Sequence, residues 1–187
     1  MLLTTTRLFF ASALLLLVAA PAWSDALGAM ERVLAFRFAV PQITPQALAA
    51  IPPSQRPLLF DVRAADEFAV SHLPGAIQIN PTRDGEGFLR RYATSLQGRT
   101  AVFYCTVGAR SSRLAADVLA HLTSADSVTV YNLRGGIFRW QAARLPLENS
   151  EGPTEWVHPY DDFWARLAPR AERQRYISPG STPSPSP

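Results

Sequence analysis

Between residues 58 and 146 short apolar runs alternate with amphipathic stretches of roughly ten residues, and no other feature limits the fold so tightly. "LLFDV" (58–62), "AIQI" (76–79), "TAVFY" (100–104) and "SVTVYNL" (127–133) read as strands, from their apolar, β-branched and aromatic content. "RAADEFAVSHL" reads as a helix stopped by Pro74-Gly75, and "FLRRYATSL" carries helical spacing up to Gly98. "SSRLAADVLAHL" sets Leu114, Val118, Leu119 and Leu122 on one helical face, and "IFRWQAARL" follows the turn "RGG" as a last amphipathic helix. Upstream, "ITPQALAAI" predicts a short extended piece and then a helix capped by Thr44, with Pro45 at its first position. Strands buried between helices of this length imply an α/β domain with a mostly parallel sheet.

The N-terminus stands apart from this pattern. Arg7 precedes an apolar run from Leu8 to about Ala20, then Pro21 and small residues, the layout of a secretory signal peptide cleaved after Ser24 or after Ala22. The run falls short of the roughly 20 apolar residues a spanning helix needs, so membrane attachment is expected only if this segment stays uncleaved. The expectation is an exported, periplasmic protein. Its predicted organisation is a signal segment (1–24), a lead-in, helical or weakly ordered (25–40), one α/β domain (41–147), an aromatic extension (148–177) and a disordered Pro/Ser tail (178–187). Basic and acidic residues nearly balance, at 18 against 15, and the arginines are scattered, which speaks against a nucleic-acid surface.

One cysteine cannot form an intramolecular disulfide, and in an oxidising compartment a lone thiol is a liability unless buried, paired between chains or used. Cys105 stands at the end of a predicted strand, where open parallel sheets place their ligands. The loop Thr106, Val107, Gly108, Ala109, Arg110 is able to curl its backbone N–H groups inward as an anion nest, and Gly108 permits the turn. A helix beginning near Ser111 points its positive end at the same spot, and Arg110 adds a full charge. These features favour a thiolate, or an anionic group carried on that sulfur, over a cysteine that only fills space.

"LLFDVRAADEFAVSHLPGAIQI", "VFYCTVGARSSRLA" and "VYNLRGGIFRW" resemble the three landmarks of the rhodanese family of sulfurtransferases, in the family's order, over about residues 40–146. The resemblance implies a five-stranded parallel sheet flanked by helices on both faces. It implies Cys105 as a nucleophile that carries sulfane sulfur as a persulfide, with residues 106–110 as its cradle and Ser111 in support. It further implies a small sulfur donor, a thiol or cyanide acceptor, and no cofactor. Phosphatases related in fold have five residues between Cys and Arg; here four intervene, so the pocket should suit a single sulfur. Thiosulfate and persulfide or polysulfide donors stay open, because Thr106 and Val107 bring no basic residue next to the cysteine. A sulfur-carrier module delivering to a protein partner remains an alternative, as does, less favoured, a phosphatase or arsenate-handling enzyme.

Asp61 and Arg63 match the family's Asp-Val-Arg and are expected to hold loops rather than react. Glu67 and His72 are expected five apart on one helix as capping or surface groups. His72, His121 and His158 have no metal-ligand spacing. Trp140 is expected in the core. "WVHPYDDFW" (156–164) is expected to strap the sheet edge, with partner docking or pocket rimming as the alternative.

Overall fold

The computed structural model describes residues 23–123, 126–168 and 173–176. The expected signal segment lies outside the described residues apart from Trp23 and Ser24, and the expected Pro/Ser tail lies wholly outside them. A helix α1 (Trp23–Phe38) leads into β1 (Gln42–Ile43) and α2 (Pro45–Ala49), whose cap Thr44 accepts the Ala47 N–H at 3.1 Å. Then come β2 (Leu58–Asp61), α3 (Ala65–Val70), β3 (Ile77–Gln78), α4 (Gly85–Leu96), β4 (Thr100–Tyr104) and α5 (Ala109–His121). The chain continues through β5 (Thr129–Leu133), α6 (Gly136–Ala142), a small hairpin of β6 (Leu147–Asn149) and β7 (Gly152–Thr154), and α7 (Asp162–Leu167).

Five strands form one sheet in the order β1-β5-β4-β2-β3, every pair parallel. Each side of β4 feeds a different core, so its residues from Ala101 on are buried and apolar or aromatic, as a strand covered on both faces requires. Val102 and Tyr104 pack with Leu48, Ile137, Phe138 and Trp140 under α2 and α6. Ala101 and Phe103 pack with Phe60, Phe88, Leu114 and Val118 under α4 and α5. This is the expected five-stranded parallel sheet with helices on both faces. Because β4 is central, its carboxyl end opens at the middle of the sheet edge, and Cys105 is the residue that emerges there.

Away from the cysteine loop, two helices differ from the sequence expectation. α3 ends at Val70, not at Pro74-Gly75, because Ser71 is extended and His72 bridges antiparallel to Glu148, with N–H···O distances of 2.8 and 3.0 Å. His72 is therefore not on the helix with Glu67. α4 starts at Gly85, three residues before the predicted "FLRRYATSL", because Asp84 caps it through Gly87 N–H at 2.7 Å and Asp117 of α5 accepts Gly85 N–H at 2.6 Å. Trp140 lies in the core as expected, its indole N–H donating to the Pro146 carbonyl at 2.8 Å.

Candidate active site

Cys105 is 1% exposed and lies where β4 gives way to α5. The intervening turn passes through Gly108 at φ +100°, a left-handed conformation that disfavours any side chain, and its N–H points at the cysteine Sγ from 3.2 Å. α5 starts at Ala109, two residues before the sequence expectation, which brings Arg110 and Ser111 into its first turn.

The "RGG" landmark fixes this turn from below. Gly135 and Gly136 both take positive φ, and the first N–H groups of α6 then reach the loop carbonyls: Ile137 N–H to Cys105 O at 2.9 Å, Phe138 N–H to Thr106 O at 3.2 Å. In a trans peptide the N–H points opposite its carbonyl, so the N–H groups of Thr106 and Val107 face away from α6. Neither has a protein partner among the described residues. The N–H groups of Ala109, Arg110 and Ser111 are the unbonded donors of a helix start. The buried hydroxyls of Ser111 and Ser112 likewise have no partner among the described residues. Of these donors, the Gly108 N–H is the one that lies on the sulfur.

Arg110 is not free in this site. Its Nη1 and Nη2 donate to the two oxygens of Glu67 at 2.7 and 2.8 Å, and Nη2 also donates to Thr106 Oγ1 at 2.9 Å. Thr106 Oγ1 in turn donates to Glu67 at 3.1 Å. Burial alone would lift the Glu67 carboxyl and lower the Arg110 guanidinium, but their mutual hydrogen bonds and charges win. Glu67 is held below the usual carboxylate range and Arg110 above its ordinary value, with the nearby Cys105 sulfur contributing to the latter. Glu67 is 2% exposed, so of the two expected roles, capping or surface, it fills the capping one. It does cap its own helix through Ala64 N–H at 3.1 Å, but its main role is to grip the loop.

Asp61 and Arg63 are fully buried one strand away, with Asp61 in register with Tyr104. Arg63 Nη2 donates to Asp61 at 2.7 Å and to the Ser71 carbonyl at 2.6 Å. Burial disfavours the Arg63 charge, yet Asp61 more than compensates and holds the guanidinium above its ordinary value. The pair fastens the end of β2 to the end of α3, and α3 carries Glu67. Both residues bind backbone beside the site, and neither makes a hydrogen bond to Cys105.

The aromatic segment also reaches the site. Val157 is buried in the core, His158 is nearly buried, and the Tyr160 ring centre sits 4.6 Å from the Arg110 guanidinium. The segment therefore packs on the core through Val157 and lays Tyr160 over Arg110. Sequence reasoning placed Glu67 only as a capping or surface group and 156–164 only as a strap, docking or rimming segment, and it did not foresee the Gly135–Gly136 clamp or the Tyr160–Arg110 contact. The adjacent glycines after β5 signalled a left-handed pair; nothing local signalled the contact. Among the described residues no cluster of His, Cys, Asp or Glu is able to hold a metal ion.

Fold and loop together define an open parallel α/β protein with one buried thiol at the strand-to-helix turn of its central strand. The chain belongs to the rhodanese-like domain family, whose model matches residues 44–143. A sulfurtransferase of Allochromatium vinosum is 34% identical over 99 residues, which cover 51% of this chain and 81% of that protein. A solved thiosulfate sulfurtransferase of Pseudomonas aeruginosa has the same fold, at a TM-score of 0.50 and 18% identity. That match covers 78% of this chain and only 26% of the other, so the chain spans about a quarter of that protein's length.

Proposed function

We propose that the protein is a sulfurtransferase that carries sulfane sulfur on Cys105 as a persulfide. The observation that supports this most is the burial of one thiol under unbonded backbone N–H groups, with Gly108 N–H already on its sulfur at 3.2 Å. The Cys105 thiolate attacks the outer sulfur of a donor, the donor's S–S bond breaks, and its electron pair leaves with sulfite or with a thiolate. The new Cys105–S–S⁻ group is stabilised by the N–H groups of residues 106–111, the Ser111 hydroxyl and the Arg110 charge. Cyanide or an acceptor thiolate then attacks the outer sulfur, leaving as thiocyanate or a persulfide and restoring the Cys105 thiolate. No external oxidant or reductant is consumed. Asp61, Arg63 and Glu67 position the loop.

A second reading, a sulfur-delivery module for a protein acceptor, is favoured by the near-complete burial of Cys105. A phosphate-ester or arsenate site is disfavoured by the four residues between Cys105 and Arg110 and by the engagement of Arg110 with Glu67. Export to the periplasm belongs to the proposal on the strength of residues 1–24, and N-terminal sequencing of the mature protein tests it. The activity is tested by a panel of thiosulfate and organic persulfide donors with cyanide and thiol acceptors. Turnover by the wild type and none by Cys105→Ser is expected; equal background turnover by both proteins refutes the enzyme reading.

A further inference from the structure

The residues that cover Arg110 come from outside the family-matched span of 44–143. After the β6–β7 hairpin the chain is anchored by Val157, which exchanges backbone hydrogen bonds with Arg173 and Arg175 at 3.0 Å. His158 and Pro159 then turn the chain so that Tyr160 N–H donates to His158 Nδ1 at 3.0 Å. Tyr160 sits at φ +78°, a left-handed conformation costly for an aromatic residue, so its position is imposed by these anchors. The result is a half-exposed ring laid over the Arg110 guanidinium at 4.6 Å.

A guanidinium has five N–H donors. In Arg110, Glu67 takes one on each terminal nitrogen and Thr106 takes the second on Nη2, and the Cys105 sulfur draws on what remains. The Glu67 carboxylate offsets the charge, and Tyr160 occupies a face of the group. A sulfonate headgroup needs both the charge and the paired donors of an arginine. A sulfane sulfur on Cys105 needs less of either, because the backbone N–H groups share its charge with the Arg110 already beside it.

We propose that Tyr160 is a specificity-determining residue of the sulfur site: with Glu67 it withholds Arg110 from anionic headgroups, so the site takes persulfide-type donors in preference to sulfur oxyanions such as thiosulfate. The inference rests on Cys105 as the sulfur carrier, but its charge selectivity is measurable without sulfur transfer. Alkylation of Cys105 in the full chain by iodoacetate, which is anionic, is compared with alkylation by iodoacetamide, which is neutral. Tyr160→Ala should raise the iodoacetate-to-iodoacetamide rate ratio at least about threefold, the size set by a half-exposed cation–π contact. Tyr160→Phe, which keeps the ring, should leave the ratio at the wild-type value. An unchanged ratio in Tyr160→Ala overturns the proposal, as does an equal rise with both reagents, which would make the ring a steric cover only. Loading from thiosulfate relative to cysteine persulfide should shift in the same direction as the alkylation ratio. If the alkylation ratio moves but no donor loads Cys105, the sulfurtransferase reading fails while the charge selectivity stands.

Discussion

Replacing Gly136 by alanine tests whether the glycine pair after β5 holds the cysteine loop. Gly136 has φ +56°, and a methyl group there would meet the Cys105 carbonyl oxygen and lie 2.6 Å from the Thr106 oxygen. The collision is with backbone, so no side-chain rotation relieves it. Forcing alanine into the left-handed region costs about 1–2 kcal/mol. Moving α6 off the loop also loses the bonds from Ile137 and Phe138 N–H, at about 1 kcal/mol each. The expected loss is about 3–4 kcal/mol, a large part of the roughly 5–15 kcal/mol that holds a domain together. Urea unfolding reads it as a midpoint lowered by about 1.5–2 M at a slope near 2 kcal/mol per molar. Gly98→Ala is the control, because Gly98 has φ +66° with nothing within 4 Å of the added methyl. It should show only the backbone penalty, about 1–2 kcal/mol. If the two variants lose equal stability, or if Cys105 in Gly136→Ala reacts as in wild type, the glycine clamp is not what shapes the loop.

Two further outcomes follow from the charges of the site. Glu67→Gln leaves Arg110 without its carboxylate and should cost about 2–3 kcal/mol, the range for hydrogen bonds to charged groups; a loss below about 1 kcal/mol would class the contact with surface pairs. His158 is held below its ordinary value of 6.5, first by burial, with Arg63 and Arg110 opposing its protonation and Glu67 and Asp66 favouring it. A depressed value means the folded state prefers neutral imidazole, so its contribution is complete above pH 6.5 and is lost as pH falls through the folded value. Protonation also ends the acceptance of Tyr160 N–H by Nδ1. An imidazole titration by NMR should therefore give a midpoint below 6.5, with Tyr160 amide shifts following it; a midpoint above 6.5 refutes the burial of His158.

The strands and most helices were legible because each is specified within its own few residues. "TAVFY" is apolar or aromatic after Thr100 since both faces of β4 are buried, and Thr44-Pro45 opens α2 by local hydrogen bonding. Cys105 and its loop were legible for the same reason, since the strand end, Gly108 and the helix start are contiguous. The misreadings share a different cause. α3 ends early because His72 pairs with Glu148, 76 positions away, and no local signal competes with the helical pattern before Pro74. Glu67 looks like a capping residue because it is one; its second partner, Arg110, is 43 positions on. Tyr160 meets Arg110 only because the hairpin and Val157 bring the chain back across the site. The family pattern does not extend to that segment.

The central claim is that Cys105 is a sulfur carrier, and intact-protein mass spectrometry reads it most directly. The full chain, incubated with an organic persulfide and separately with thiosulfate, should gain one sulfur atom that maps to Cys105 and is removed by cyanide. The gain should be absent in Cys105→Ser. A protein that stays at its unmodified mass with every donor, or one whose added sulfur survives cyanide, would contradict the account.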